Sequence, residues 1–307
     1  MKKTILITGG AGFIGSHLVD KLVQANNIIV IDNLSTGYLK NLDNVFDKIR
    51  FIKNDVENFD FSGLGKIDVI VHLSAQTSVP LSIENFKKSS CQNVLSSLNV
   101  IDFSRINNIP IVYASSSAVY GNLPLGDDSI SEIDLISPYA VDKYLMEKYL
   151  DMSHKLYGLS SIGLRFFNVF GPRQDPTNPY SGVISLFIDQ LTAGKKIMIN
   201  GGHQTRDFVY VLDVVEVIKK SIALVTNQPI YETVNVLSGN SYSIDELVNI
   251  LAKLTRSNPQ IERKLLQKGD PEKSEGTFKK MFKLFELNTK NFTPLELGLK
   301  KIIDNIA

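Results

Sequence analysis

A glycine-rich turn between an apolar segment and an amphipathic one is the feature that most constrains the fold of this chain. The stretch TILITGGAGFIGSHL carries glycines at positions 9, 10, 12 and 15. The early glycines allow a tight turn that brings the backbone close to a pyrophosphate, and Gly15 lets a helix pack closely on the strand. The N-terminus of that helix favours negative charge. The stretch therefore predicts a strand, a turn and a helix that bind a dinucleotide.

The next apolar run supports the same site. IIVIDN ends in Asp32 and Asn33, at the predicted end of the second strand. A carboxylate there accepts hydrogen bonds from ribose hydroxyls and repels a 2′-phosphate, so NAD is favoured over NADP. The alternative is a glycine-rich turn beside a solvated aspartate. We place the cofactor at Gly9, Gly12, Phe13, Ile14, Gly15, Asp32 and Asn33, with Asp55 and Val56 near its adenine.

Short apolar runs alternate with longer amphipathic segments through the first half of the chain. Several runs are rich in β-branched residues without polar alternation, which is typical of strands buried on both faces. Alternation of strands with helices predicts an α/β fold, a Rossmann-type doubly wound parallel sheet. The predicted strands are 4–8, 28–31, 50–52, 68–72, 110–114 and 161–167, and the predicted helices include 17–25, 89–104 and 139–157.

The texture of the sequence changes after Phe170. GPRQDPTNPYSG, with three prolines and two glycines, predicts a loop that leaves the first domain. A strand and a helix follow in RDFVYVLDVVEVIKKSIALV, then a short strand, then a mostly helical tail. We expect an NAD-binding domain at 1–170, to which 207–238 returns, and a smaller C-terminal α/β substrate domain at 171–206 and 239–307.

Charge and cysteine content limit the partners. Lys and Arg number 33 against 32 Asp and Glu, and the net charge of +1 provides no field for nucleic acid or an anionic membrane. Cys91 is the single cysteine, which excludes intrachain disulfides and thiolate metal clusters. Glycines interrupt the first apolar run too early for a signal peptide, and no run is long enough to span a bilayer. We expect a cytoplasmic protein without a metal site.

Tyr139 and Lys143 are candidates for proton transfer. They stand four residues apart in SPYAVDKYLMEKY, so both face the same side of a helix. A phenol with a pKa near 10 is a poor base at neutral pH. An ammonium about 5 Å away stabilises the phenolate by roughly 3 kcal/mol, or about two pKa units. By itself the pair is also what a helix shows when it merely packs an aromatic ring.

Five motifs together give a more specific indication. TGGAGFIG, HLSAQTS, YASSSAVYG, YAVDK and RFFNVFGPRQ follow one another in this order. In these motifs the chain resembles the extended short-chain dehydrogenase/reductase family, and within it the nucleotide-sugar 4-epimerases. The resemblance covers nearly the whole chain, through GGHQTRDFVYVLDV at 201–214, and is weaker after about residue 265.

The resemblance implies roles for individual residues. Tyr139 matches the catalytic base, Lys143 its partner, which also holds the nicotinamide ribose, and Ser116 the catalytic Ser/Thr that hydrogen-bonds the reacting sugar oxygen. Leu73, Ala75 and Asn93 match positions near the NAD. The residues that the resemblance places around the nucleotide sugar are Ser116, Ser117, Tyr139, Asn168, Val183, Ile197, Ile199, Arg206, Lys268 and Ser274.

The residues after Ser116 bear on the reaction. Related dehydratases and a decarboxylating relative place an acidic residue directly after the catalytic Ser/Thr, whereas this chain has Ser117 and Ala118. Neither offers an acid or base for elimination. Epimerisation at C4 needs only oxidation to a bound 4-keto sugar, rotation of the sugar and return of the same hydride. The sequence therefore favours a 4-epimerase that interconverts UDP-glucose and UDP-galactose.

Two positions in the tail depart from or refine this pattern. Gln267 stands where these epimerases carry a phosphate-binding Arg, and Lys268 or Lys273 could supply the charge. Ser274 stands at a position beside the C2 substituent of the sugar, and a small residue there leaves room for an N-acetyl group. The alternatives are a UDP-glucuronate 4-epimerase, another NAD-dependent nucleotide-sugar enzyme, and a non-catalytic NAD-binding regulator. The resemblance also implies a homodimer.

Overall fold

The computed structural model describes residues 2–177, 182–266 and 269–305. The strands are β1 (Thr4–Thr8), β2 (Asn27–Asp32), β3 (Ile49–Lys53), β4 (Val69–His72), β5 (Ile111–Ser116), β6 (Ser161–Phe166), β7 (Asn168–Phe170), β8 (Ile197–Asn200), β9 (Thr205–Tyr210), β10 (Tyr231–Val236), β11 (Ser241–Ser243), β12 (Ile261–Lys264) and β13 (Lys273–Ser274). The helices are α1 (Phe13–Leu22), α2 (Val79–Glu84), α3 (Phe86–Ile106), α4 (Pro138–Tyr157), α5 (Val183–Thr192), α6 (Val211–Asn227), α7 (Ile244–Thr255), α8 (Lys279–Phe285) and α9 (Leu295–Asp304).

Seven parallel strands form the main sheet. Their spatial order is β3-β2-β1-β4-β5-β6-β10, so the chain winds outward in both directions from β1 and β4. Parallel neighbours require crossover connections, which here are mostly helices. The predicted doubly wound α/β fold is confirmed.

Alternate residues of the strands face opposite sides of the main sheet. In β1, Ile5 and Ile7 belong to one apolar cluster, whereas Leu6 belongs to another. The first cluster includes apolar residues of α1 and α6, and the second includes residues of α3 and α4. Both faces are therefore covered, which explains why the strands lack polar alternation.

A smaller set of strands follows the main sheet. β9 pairs with β7, β11 and β13, and β8 pairs with β12. A third apolar cluster joins residues of β8 and β9 to α5, α7 and α9. The chain returns to the main sheet at β10, which pairs with β6. The expected division into two domains stays a prediction.

Two details differ from the sequence-based expectations. The helix expected at 17–25 begins earlier, at Phe13, because it starts directly after the glycine turn. The tail, expected to be mostly helical, also contains β12 and β13, which are short strands next to strands from earlier in the chain. None of the described helices combines the length and the apolar content needed to span a bilayer.

Tyr113 lies over a glycine in the neighbouring strand of the main sheet. Tyr113 in β5 is the register partner of Gly163 in β6, and its side chain is completely buried. A Cβ atom at position 163 would lie 2.4 Å from Cζ and from the hydroxyl oxygen of Tyr113. The absence of a side chain at 163 is therefore what lets the tyrosine ring lie here.

We expect Gly163→Ala to destabilise the protein by about 1–3 kcal/mol, because the added methyl forces a buried ring to move. The measurement is the melting temperature of the variant against the unchanged protein. Gly63→Ala is the matched control, since a Cβ at position 63 meets nothing within 4 Å. Equal melting temperatures for the two variants would contradict this account of the packing.

Candidate active site

The strands of the main sheet end at the edge of a large cleft. The volume of the cleft is about 1100 Å³. Its walls come from the glycine turn after β1, the ends of β2, β4 and β5, the start of α4, and residues of the smaller strand set. Ligands of open parallel sheets bind at this edge.

The glycine turn is shaped for close approach of a ligand to the backbone. α1 begins at Phe13, and Gly12 precedes it in an extended conformation without a capping side chain. A Cβ atom at Gly15 would lie 2.1 Å from the carbonyl oxygen of Gly9, so only glycine permits this packing. The backbone N–H groups at the start of α1 are thus available to an anion. Gly9, Gly12, Phe13, Ile14 and Gly15 all line the cleft.

Asp32 lies at the end of β2 with its carboxylate fixed. One oxygen accepts the Ala11 N–H at 2.9 Å, and the other accepts the Leu34 N–H at 2.8 Å. Burial raises the pKa of Asp32, while these two N–H groups lower it. Asn33 donates to the carboxylate of Asp55 at 2.5 Å, which ties the ends of β2 and β3 together.

The predicted NAD residues fit a dinucleotide. The turn offers N–H groups for a pyrophosphate, and Asp32 offers a carboxylate for ribose hydroxyls. Asn33, Asp55, Val56, Leu73 and Ala75 line the same half of the cleft.

Asn93 is placed differently from the other predicted cofactor residues. Its side chain is buried and does not line the cleft. The side-chain oxygen accepts the Gln76 N–H at 2.8 Å, and the amide nitrogen donates to the Asp142 carboxylate at 3.1 Å. Asn93 therefore holds the loop after β4 against α4, and direct contact with the cofactor stays a prediction.

Helix α4 positions the two candidate catalytic residues. Ser137 caps the helix by accepting the Ala140 N–H, and Pro138 occupies the first turn. Tyr139 thus lies in the first turn and Lys143 one turn later, both buried at the cleft. The Ser116 side chain lies close enough to Tyr139 to lower the pKa of its phenol. The structure therefore brings the three predicted catalytic residues together.

The protonation balance differs from the simple expectation for a tyrosine beside a lysine. The Lys143 ammonium lies 5.8 Å from the centre of the Tyr139 ring and donates to the Ala114 carbonyl at 2.7 Å. Burial raises the pKa of Tyr139 to about 12, and the nearby Ser116 side chain lowers it only in part. Burial also lowers the pKa of Lys143 to about 8. In the protein alone, desolvation therefore outweighs the stabilisation that we expected for the phenolate.

The three consecutive serines have different surroundings. Ser116 faces the cleft and accepts the Ala118 N–H at 3.1 Å, which begins a helical turn at 117–120. Ser115 is only 2% exposed and donates to Glu147 at 2.5 Å. Ser117 lines the cleft beside Ser116. All three serines line the cleft, but only Ser116 lowers the pKa of Tyr139.

The second half of the cleft contains the other polar residues predicted to contact a sugar nucleotide. Asn168 donates to the Asp207 carbonyl at 3.1 Å and to the Ser274 hydroxyl at 3.4 Å. Arg206 is paired with the carboxylate of Asp270 and is largely buried. Val183, the first residue of α5, also lines this half.

Two predicted substrate residues do not line the cleft. Ile197 and Ile199 have completely buried side chains in the third apolar cluster. Residues of a strand alternate between its faces, so Met198 and Asn200 line the cleft in their place. This corrects the expected side-chain contacts of β8. Lys268, like Gln267, lies outside the described residues.

Glu147 of α4 and Arg165 of β6 were not singled out from the sequence. Glu147 forms a buried ion pair with Arg165, at 2.7 Å, and neither residue was a candidate. The available signal was spacing, because Tyr139, Lys143 and Glu147 recur every four residues along one side of the helix. Among the described residues, no three His, Cys, Asp or Glu side chains are grouped so that they could hold a metal ion.

The sequence of the chain matches a known protein family. A family model described as the NAD dependent epimerase/dehydratase family matches residues 5–236. The chain belongs to this family. It is thus an NAD-dependent enzyme of the epimerase type.

Individual relatives narrow the comparison to nucleotide sugars. The UDP-glucose 4-epimerase of Mycolicibacterium smegmatis is 38% identical over 221 residues, which are 69% of this chain and 70% of that protein. The UDP-N-acetyl-alpha-D-glucosaminuronate decarboxylase of Bacillus cytotoxicus is 33% identical over 271 residues, or 85% of this chain and 83% of that protein. Decarboxylating relatives are therefore also similar to this chain.

Two solved structures share the whole fold. The UDP-N-acetylglucosamine 4-epimerase of Methanobrevibacter ruminantium, in complex with UDP-N-acetylmuramic acid, has 34% identity and a TM-score of 0.91, over 99% of this chain and 98% of that chain. The UDP-glucose 4-epimerase of Thermotoga maritima, with UDP-glucose, has 31% identity and a TM-score of 0.91, over the same shares. Both are nucleotide-sugar epimerases.

Replacing Ser116 tests its position at the reacting group. We expect Ser116→Ala to lower kcat about a hundredfold, because the hydroxyl that lies beside Tyr139 and would hold the reacting oxygen is lost. Ser116→Thr keeps a hydroxyl and should recover most of the rate, whereas retained NAD shows that both variants are folded. Activity of Ser116→Ala close to that of the unchanged enzyme would contradict this assignment.

Proposed function

We propose that this enzyme is a UDP-hexose 4-epimerase, which interconverts UDP-glucose and UDP-galactose and also accepts the N-acetylated pair. The observation that carries the proposal is the group of Ser116, Tyr139 and Lys143 at the cleft, followed by Ser117 and Ala118. Elimination or decarboxylation needs a further acid or base near the sugar. Neither residue directly after Ser116 is titratable, and both line the cleft.

The chain's own groups account for the proton transfer. Tyr139 takes the proton of the C4 hydroxyl, while Ser116 holds the same oxygen by a hydrogen bond. The Lys143 ammonium stabilises the phenolate form of Tyr139. NAD, when bound, supplies a hydride acceptor and later a hydride donor. Tyr139 returns its proton after the 4-keto sugar has turned over in the cleft, so the reaction needs no second acid.

The residue that limits the size of the sugar substituent at C2 supports the broader specificity. Ser274 lines the cleft and lies within 3.4 Å of the Asn168 amide nitrogen. A serine at this position leaves room that a larger side chain would fill. The relative from Methanobrevibacter ruminantium is named as an epimerase of an N-acetylated sugar, which agrees with this proposal.

The nucleotide would be held mainly in the second half of the cleft. Arg206 offers a guanidinium suited to phosphate oxygens. It is paired with Asp270, a half-exposed carboxylate that a diphosphate would have to displace or share. Lys273 also lines this part of the cleft. We propose that these two cations provide the grip that the arginine missing at 267 would otherwise give.

We also propose a homodimer formed through α3 and α4. The two helices pack together and expose apolar side chains, among them Leu95, Val141, Met152 and Leu156. Isolated exposed apolar residues are common, but several on adjacent helices favour an interface. The molecular mass in solution, measured by light scattering, would be twice that of the chain.

Incubation with a panel of UDP-sugars tests the proposed reaction. We expect UDP-glucose and UDP-galactose to interconvert without added NAD, because the cofactor is regenerated in each cycle. The panel also includes UDP-N-acetylglucosamine and UDP-glucuronate, and products are identified by mass and chromatography. Accumulation of a keto sugar or a pentose would reject epimerisation, and turnover of UDP-glucuronate alone would change the substrate.

The role of Ser274 has a separate test. We expect Ser274→Tyr to abolish turnover of UDP-N-acetylglucosamine and to leave turnover of UDP-glucose largely intact, because the larger ring occupies the space for the acetyl group. The measurement is kcat/KM for both substrates. Lack of turnover of the acetylated sugar by the unchanged enzyme would reject this part of the proposal.

A further inference from the structure

The helix that carries Tyr139 and Lys143 also carries a buried carboxylate. Glu147 is in α4, one helical turn after Lys143, and only 3% of the residue is exposed. A buried charge is costly unless it is paired and hydrogen-bonded. Its partners therefore show what the carboxylate does.

The partners of Glu147 join three elements. The Ser115 hydroxyl donates to one carboxylate oxygen at 2.5 Å. Arg165 donates to the same oxygen at 2.9 Å and to the other oxygen at 2.7 Å. Ser115 and Arg165 are register partners at the ends of β5 and β6. One carboxylate thus joins the next-to-last residues of both strands to the helix that carries Tyr139.

The far side of Arg165 is also fixed. Its third nitrogen donates to the Tyr120 hydroxyl at 2.8 Å, and Tyr120 donates to Asn235 at 2.7 Å. Asn235 donates to the carbonyls of Gly126 and Thr277, each at 3.1 Å. A guanidinium held on both sides fixes the orientation of the carboxylate that it contacts.

Glu147 also contributes to the electrostatics around Lys143. Tyr139, Asp142 and Glu147 approach Lys143 from α4, and His72 does so from β4. Burial lowers the pKa of His72 to about 3, which leaves its ring uncharged at neutral pH. Burial lowers the pKa of Lys143, whereas the charges of Asp142 and then Glu147 raise it. Arg165, on β6, is bonded to Glu147 and not to Lys143.

We propose that Glu147 is a positioning residue, which places Ser116 by holding Ser115 and which keeps Lys143 in its ammonium form. Ser116 follows Ser115 directly, so the bond to Ser115 sets the end of β5 against α4. Lys143 donates to the Ala114 carbonyl, and among the described residues no hydrogen bond or ion pair joins it to Glu147. The inference rests on the proposed function, because both effects serve proton transfer by Tyr139.

The test compares Glu147→Gln with Asp151→Asn. Asp151 lies one turn further along α4 and pairs with Lys155 at the surface, so this control removes a carboxylate of the same helix. For Glu147→Gln we expect about a tenfold loss of kcat, with KM unchanged. We also expect the alkaline fall of kcat to begin about one pH unit lower, since Lys143 loses its proton more easily. The control should keep the profile of the unchanged enzyme.

Two further variants keep the test informative. If Glu147→Gln does not fold, because it leaves Arg165 unpaired, the double variant Glu147→Met with Arg165→Met removes both charges. It should lower kcat with a smaller alkaline shift than Glu147→Gln, because loss of the Arg165 cation offsets loss of the Glu147 carboxylate. Ser115→Ala removes only the strand contact, so it should lower kcat without moving the alkaline limb.

A readout independent of turnover separates this inference from the proposed reaction. The ¹⁵N resonance of the Lys143 side chain, assigned by its loss in Lys143→Met, reports the titration of Lys143 directly. A lower titration midpoint in Glu147→Gln supports the inference even if no UDP-sugar is epimerised. In Glu147→Gln, an unchanged titration midpoint of Lys143, or a loss of kcat without an alkaline shift, would overturn the inference.

Discussion

All seven strands of the main sheet run in the same direction, and the assembly of the candidate active site depends on this constraint. Parallel strands bring every carboxyl end to one edge, although the residues concerned lie far apart in the chain. The glycine turn, Asp32 and Ser116 follow or end three of these strands and therefore line one cleft. The smaller strand set closes the other side of that cleft, where a nucleotide sugar would lie.

Burial changes the pKa of Tyr139 and the pKa of Lys143, the two groups proposed to carry the proton transfer, in opposite directions. It raises the pKa of Tyr139, which then holds its proton, and lowers the pKa of Lys143, which then loses its proton more readily. A dry site strengthens hydrogen bonds and charge interactions but disfavours the charged form of each group. Neighbouring carboxylates and the bound cofactor therefore have to restore the charge balance. The proposed role of Glu147 agrees with this need, because its charge raises the pKa of Lys143.

Most of the fold was predictable from the sequence, and so were the residues that line one half of the cleft, because their signals are local. A β-branched run, a glycine turn and a carboxylate at a strand end each lie within a few residues. The predictions were less accurate where the direction of a side chain decides whether it lines the cleft. Ile197 and Ile199 lie in a strand whose alternate residues line the cleft, but their own side chains face the core. Asn93 holds the loop after β4, and its contact with the cofactor stays a prediction.

The sequence by itself determined the doubly wound sheet and the glycine turn, because spacing and order carry that information. The group of Ser116, Tyr139 and Lys143 came from the resemblance of its motifs to a known family. Only the tertiary structure decided which of three adjacent serines lies beside Tyr139 and which one donates to Glu147. It also joined Glu147 to Arg165 and linked Arg165 to Tyr120 and Asn235. These contacts form between strands and helices far apart in the chain, and local periodicity cannot specify which side chains meet across them.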